Sequence, residues 1–207
     1  ALALIGIAGA LMAPFILSWF AEGADVEGLT SQSLHLIAYI IAVDLGVLVL
    51  STFKNWRWLT LMALVGSLSA YGAWYAEYSD TVSHLASQGS ITIIFLIFVA
   101  ATTLFHFVWR RAPNAYDFTL MVVNASAYFG ISYGLLWSDF RDWMGGFTVL
   151  LSLFYGGIAY LARLRIREHV NLALMSLAIA LVFLTITVPV ELEGSWIAVA
   201  WSAQGAV

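Results

Sequence analysis

The sequence predicts an all-α fold, a polytopic transmembrane helix bundle of seven to eight spans built from tandem helical hairpins. Three observations carry that expectation. Apolar residues make up 62% of the 207-residue chain and charged residues 10%, against roughly 45–50% and about 25% in soluble domains; the mean hydropathy is +0.93. The apolar residues fall in runs of about 20, the length a helix needs to cross the hydrocarbon layer of a bilayer. Nearly all the basic residues fall in short turns between alternate runs. A chain of this length holds seven or eight such runs and no separate soluble domain, so residues 1–207 read as one transmembrane helical domain.

The first run, residues 1–20, places Gly6 and Ala10, and Gly9 and Ala13, at the four-residue spacing that lets another helix backbone approach closely. These four are the candidate helix-contact residues, and Pro14 bends the span. A signal peptide is the competing reading. It is opposed by the missing basic n-region, by Pro14 inside the apolar run and by the spans that follow. Residues 22–32 form a polar turn, and the second span, residues 33–52, contains a single charge, Asp44. The third span covers residues 58–75 and leads into a long polar turn over 76–89. The fourth, 90–109, ends at Arg110 and Arg111, with Pro113-Asn114 marking the turn. The fifth, sixth and seventh cover 116–137, 145–164 and 170–190. Residues 195–207 begin an eighth, too short to cross as given. The missing initiator Met and the abrupt end at Val207 are expected of an excerpt from a longer polytopic chain.

Charge placement sets the expected orientation. Lys54 and Arg57, Arg110 and Arg111, and Arg163, Arg165 and Arg167 occupy the second, fourth and sixth turns, which share a side if every span crosses. The opposite side carries Arg141 and the acidic residues Glu22, Asp25, Glu27, Glu77, Asp80, Asp139, Asp142, Glu191 and Glu193. Lys and Arg in short turns are retained in the cytoplasm, so the basic turns are expected inside and the acidic turns outside. The Arg-bearing turns recur at a spacing of about 55 residues, as tandem hairpins of like orientation require. Ser69-Ala70-Tyr71-Gly72 and Ser126-Ala127-Tyr128-Phe129-Gly130 echo one another after successive basic turns.

Asp44 is the most informative single residue, because a carboxylate near the middle of the layer costs a few kcal/mol on insertion scales and usually faces a bundle interior or a wet cavity. It reads either as a proton or cation site or as a protonated acid hydrogen-bonded to a neighbouring helix. Asp117, Asn124 and Tyr128 share one stripe of the fifth span and are candidates, with Asp44 and Tyr71, for a polar path. An Asn in such a helix also serves as an interhelical hydrogen bond. Ser67, Tyr71, Trp74 and Tyr78 form a stripe on the third span, and an aromatic belt at the external interface explains much of it, as it does Trp19, Trp137, Trp143 and Trp196. His106, one turn before Arg110, reads as an interfacial polar residue with a titratable alternative. Glu77, Asp80 and His84 share a face only if their turn is helical, and no metal site is expected there.

Several function classes are excluded or disfavoured. The chain has no cysteine, hence no disulfide, thiolate metal site or cysteine nucleophile. It has no Gly-rich phosphate loop, no His-Glu-x-x-His and no Gly-x-Ser-x-Gly elbow. Four scattered histidines argue against a haem or multinuclear centre, so no cofactor is expected. The short basic turns sit against lipid headgroups and do not make a nucleic-acid surface.

Taken in order, Ala1-Leu2-Ala3-Leu4-Ile5-Gly6 with Ala13-Pro14-Phe15, Ala38-Tyr39 with Asp44-Leu45-Gly46-Val47-Leu48, Asn55-Trp56-Arg57-Trp58-Leu59, and the closing Phe183-Leu184-Thr185-Ile186-Thr187-Val188-Pro189 with Ala200-Trp201 and Gly205-Ala206 are a distinctive succession. The chain resembles, over most of its length, the bacterial predicted membrane proteins of domain-of-unknown-function family 2339. The resemblance implies a multi-pass protein of the bacterial inner membrane and a longer parent chain, and it implies no particular activity. Where relatives often carry Glu before the closing Gly-Ala, this sequence has Gln204, which weakens an acid role there. Three readings of function follow: a transport or translocation component with an intramembrane acidic site, a non-catalytic scaffold or partner subunit, and an intramembrane enzyme acting on lipid or lipid-linked sugar. Absent enzyme motifs lean against the last. The expected partners are membrane lipid, other membrane subunits and the remaining spans of a longer chain.

Overall fold

Backbone amides have no partner in hydrocarbon, so a chain this apolar resolves into helices, whose hydrogen bonds are all internal. The computed structural model describes residues 26–53, 57–109, 114–165 and 170–191, with the single residues 9, 202 and 205. Among them six α-helices follow in order: α1 (Val26–Phe53), α2 (Arg57–Tyr78), α3 (His84–Trp109), α4 (Ala115–Leu136), α5 (Met144–Arg165) and α6 (Val170–Glu191). A short 3-10 turn, Arg141–Trp143, precedes α5. Each helix contains a stretch long and apolar enough to cross a membrane. The number of candidate spans among the described residues is therefore six, where seven to eight were expected. The predicted first span, with Gly6, Ala10, Ala13 and Pro14, and the predicted eighth lie outside the described residues. Gly9 is exposed, and a Cβ there would meet nothing within 4 Å.

Two boundaries differ from expectation. The helical backbone of α1 begins at Val26, within the segment expected to be a polar turn. More informatively, α3 begins at His84, so the turn expected over residues 76–89 shrinks to the five residues between Tyr78 and His84. Ser83 opens α3, its Oγ accepting the Ala86 amide at 3.3 Å, as an N-cap does. The polar run Ser87-Gln88-Gly89-Ser90 is accommodated in the helix by two side-chain bonds: Gln88 Nε2 bonds across to α4 and Ser90 bonds back to the Ala86 carbonyl.

The described residues of Ala1–Phe105 and Asn114–Leu135 form one compact unit, and those of His106–Pro113 and Leu136–Val207 form a second. In the first unit α1 packs on α2, and Ile40, Leu64, Ile91 and Ile94 are fully enclosed. In the second, α5 packs on α6 around Ala162, Leu172 and Tyr155, whose ring stacks on Phe183. Ser152 donates to the Ala180 carbonyl at 2.8 Å, and Thr187 donates to Thr148 Oγ1 at 2.9 Å. Outer faces are largely apolar: no more than 44% of any span is buried, and what remains includes Leu45, Val49, Leu50, Leu153, Leu174 and Val182. A protein stable in water hides such contiguous surface, whereas lipid solvates it.

Gly145, at the start of α5, lies under the side chain of Glu191 at the end of α6. A Cβ at Gly145 would run into Glu191 Oε2 and stand 3.0 Å from Glu191 Cβ. The carboxylate can swing aside, but the Cβ moves only with α6. Gly145→Ala is expected to destabilise the α5–α6 pair by about 1 kcal/mol, the low end of overpacking costs. Gly146→Ala, which meets no atom within 4 Å, serves as the control, and Glu191→Ala in the G145A background, which keeps the Cβ, restores little of the loss. Unfolding in mild detergent measures all three.

Candidate functional site

Asp44 sits on the face of α1 that meets α2 and is 1% exposed. Ser67, itself fully buried on α2, is hydrogen-bonded through its hydroxyl to Asp44 Oδ1 and also lies 2.9 Å from the Ala63 carbonyl one turn below. Asp44 Oδ2 has no hydrogen-bond partner among the described residues. No charged side chain among them acts on the carboxyl. The helix around Asp44 is apolar, with Ile40 and Val47 buried on the same side.

One turn beyond Ser67 on the same face of α2 comes Tyr71, then Trp74 and Tyr78, and all three are buried. This corrects the expectation of an aromatic belt for that stripe. Trp74 Nε1 donates to the Ser33 carbonyl of α1 at 2.9 Å, and Tyr71 Oη donates to the Ser87 carbonyl of α3 at 3.1 Å. The rings pack on one another, Tyr71 with Trp74 at 5.5 Å between centroids and Trp74 with Tyr78 at 6.5 Å. Only the polar tips of these side chains need partners, and neighbouring backbones supply two of them. Trp143, in the 3-10 turn before α5, is 76% exposed. In the same turn the Arg141 guanidinium stands 5.1 Å over the Trp137 ring.

Tyr128 is brought to the residue of α3 that follows Ser87. Gln88 Nε2 donates to Ser132 Oγ at 2.8 Å and reaches Tyr128 Oη at 3.3 Å, while Thr92 Oγ1 and Tyr128 Oη are 3.0 Å apart. The Tyr128 ring stacks on Phe95 with centroids 4.2 Å apart. Asn124, one turn away, donates to the Phe95 carbonyl at 3.0 Å. The tyrosines predicted from the sequence echo thus touch consecutive residues, Ser87 and Gln88, from opposite neighbours. Ser67, Gln88, Thr92 and Ser132 complete these contacts, and sequence reasoning assigned none of them a partner. A polar residue in a helix shows its partner only once the register between helices is known.

Asp117 is held apart from this group. Its Oδ2 accepts the Asn114 amide at 2.8 Å, and its own amide donates to Asn114 Oδ1 at 3.1 Å. This reciprocal pair is a capping box at the start of α4. Glu77 lies near the end of α2, Asp80 in the turn and His84 at the start of α3, so the helix break separates them. His84 Nδ1 lies 3.4 Å from the Leu135 carbonyl. No group of three or more His, Cys, Asp or Glu able to hold a metal ion occurs among the described residues. The side chain of His106 lies outside the described residues.

Compared with known protein families, the whole chain, residues 1–207, matches the family described as predicted membrane protein (DUF2339). The chain belongs to that family. No curated protein and no solved structure matches it. For a DUF2339 membrane protein the six apolar helices are read as spans, and the depth of each polar group follows from its place along its helix. Asp44 lies nine residues before Phe53 and Ser67 ten residues after Arg57, or about 14 and 15 Å along their helices at 1.5 Å per residue. Both positions fall near the middle of a hydrocarbon core about 30 Å thick. Asn124, nine residues into α4, lies at a similar distance from its own helix end.

Asn124→Leu in this DUF2339 protein removes the bond to Phe95, and a loss of roughly 0.6–2 kcal/mol of helix-pair stability is expected. Asn114→Ala removes the N-cap of α4, whose Oδ1 accepts the Asp117 amide, for about 1 kcal/mol. The sites share no partner, so the double variant loses the sum, read as the shift in a denaturation midpoint in mixed micelles.

Proposed function

We propose that this chain is a transport or translocation component of the bacterial inner membrane whose working group is the intramembrane acid Asp44. The observation that carries the reading is the half-satisfied carboxyl: 1% exposed, bonded at Oδ1 and without a described partner at Oδ2. A carboxyl kept only to join two helices gains by having both oxygens engaged, since a buried polar atom without a partner costs about 1–3 kcal/mol. An acid that must gain and lose an ion tolerates the vacancy. The stripe from Ser67 to Tyr71, and the contacts of Tyr71 and Tyr128 with Ser87 and Gln88, supply the polar path on either side of α3. The basic turns face the cytoplasm in this reading, with Arg110 inside and Glu77 outside. Tandem hairpins of like orientation account for the recurrence of the basic turns.

A scaffold is the second reading, favoured by a separate observation. Asn124 Nδ2 and Trp74 Nε1 both donate to neighbouring backbones, as expected of a bundle built to hold its helices in place.

The chain in proteoliposomes is expected to dissipate an imposed ion gradient, and Asp44→Asn to reduce the flux to that of protein-free vesicles. Asn124→Leu should leave the flux within a few-fold of the wild type. Equal flux from wild type, D44N and empty vesicles removes the transport reading and leaves the scaffold. Because the chain has no native cysteine, Arg110→Cys and Glu77→Cys can be labelled one at a time with a membrane-impermeant thiol reagent in intact cells. Glu77→Cys should react and Arg110→Cys should react only after permeabilisation.

A further inference from the structure

Two contacts of Ser67 bear on which ion Asp44 exchanges. The Ser67 oxygen is bonded to both Asp44 Oδ1 and the Ala63 carbonyl oxygen. A hydroxyl carries one hydrogen, and neither a carboxylate nor a carbonyl carries any. If Asp44 were ionised, one hydrogen would have to serve two acceptors, with a bare charge buried beside it. If Asp44 carries a proton, it donates to Ser67 Oγ and Ser67 donates onward to Ala63. Both contacts are then full hydrogen bonds running in one direction.

The surroundings supply nothing else for a charged form. Ca2+ and Mg2+ take about six or more oxygen ligands, and here the side-chain oxygens in contact are those of Asp44 and Ser67. Ile40 and Val47, each within a turn of Asp44, and Ala63 and Leu64, each within a turn of Ser67, are buried and apolar. Several titratable groups of the unit are engaged elsewhere. On the Ser67 stripe Tyr71 donates to Ser87 and Tyr78 lies eleven residues beyond Ser67; His84 meets the Leu135 carbonyl; Asp117 is held by Asn114; and Tyr128 is bound by Thr92 and Gln88. On α1, His35 and Tyr39 are exposed.

We propose that Asp44 and Ser67 form a proton-carrying pair in which Asp44 holds the proton at rest and the ion exchanged is H+, not a metal cation; the exchange rests on the ion-linked reading above. On release, the Asp44 O–H bond breaks and the proton passes to water. The Ser67 hydrogen then turns from the Ala63 carbonyl to the new carboxylate. Ala63 keeps its backbone partner, the amide four residues on, so no acceptor is stranded. Reprotonation reverses each movement.

Infrared spectroscopy of the full chain in lipid nanodiscs tests this. At neutral pH the wild type should show the C=O stretch of a protonated carboxylic acid. The band should be lost in Asp44→Asn, should move to higher frequency in Ser67→Ala, where its acceptor is gone, and should be indifferent to added Na+, K+ or Mg2+. Absence of the band, or its replacement by a carboxylate band on adding one of those cations to the wild type, overturns the proposal. If D44N fails to fold, the cation titration of the wild type and the S67A shift still decide. A band that behaves as expected while D44N proteoliposomes conduct like the wild type upholds the protonated pair and removes the ion-linked reading. A flux that needs Asp44 but follows Na+ and spares the proton does the reverse.

Discussion

Hydrocarbon offers no hydrogen bonds, and every local feature of this molecule answers to that constraint. It turns the apolar runs into helices. It sends short hydroxyls back onto their own helices, as with Ser69 to Val65, Thr103 to Val99 and Thr119 to Ala115. Longer polar side chains must cross to a neighbour: Trp74 to Ser33, Tyr71 to Ser87, Asn124 to Phe95. Each crossing ties two helices at one register, because the backbone oxygen it reaches recurs only once per turn on that face. Packing of apolar side chains alone, against lipid tails equally apolar, would leave that register weakly fixed.

The two compact units answer the constraint with different side chains. In the first, large polar-tipped groups span the gaps between helices, and their rings fill the space they cross. In the second, small residues bring α5 and α6 together, with Ala159, Ala162, Ala173 and Ala180 buried. Ser152 and Thr187 are then long enough to bridge directly. Close approach makes Gly145 intolerant of a side chain, whereas α1 and α2 are joined through an acid and a hydroxyl.

Length and hydropathy made the six spans legible, because a bilayer crossing demands a long apolar run and little else does. The start of α3 was not legible. Residues 84–89 have the composition of a turn, and the helix accommodates them through partners of Gln88 and Ser90 that a composition count does not see. The Ser67–Tyr78 stripe had the spacing of a buried face and the composition of an interfacial belt, and tertiary packing decided between them. Asp44 stood out as the one charge in an apolar run, but Ser67, one of several serines on its helices, did not. Their pairing depends on the register of α1 against α2, which no single helix encodes. Asp117 shows the opposite error: its seven-residue spacing from Asn124 suggested a shared path, and its position in the first turn of α4 made it a cap.

Asp44 is also distinguished by the kind of partner it has. A lysine or arginine opposite it would hold the carboxylate permanently ionised, since removing a charge from a buried pair strands the other. An asparagine would favour one protonation state, offering a fixed donor on one side and a fixed acceptor on the other. A serine hydroxyl is donor and acceptor through the same atom, and rotating one hydrogen converts it from one role to the other. With Ala63 able to take or release that hydrogen without losing its helical bond, the pair supports either form of the acid at little reorganisation. Asn124 and Asp117, each engaged with fixed partners, have no such freedom, and that difference in local chemistry separates a residue that fastens the bundle from one that can work inside it.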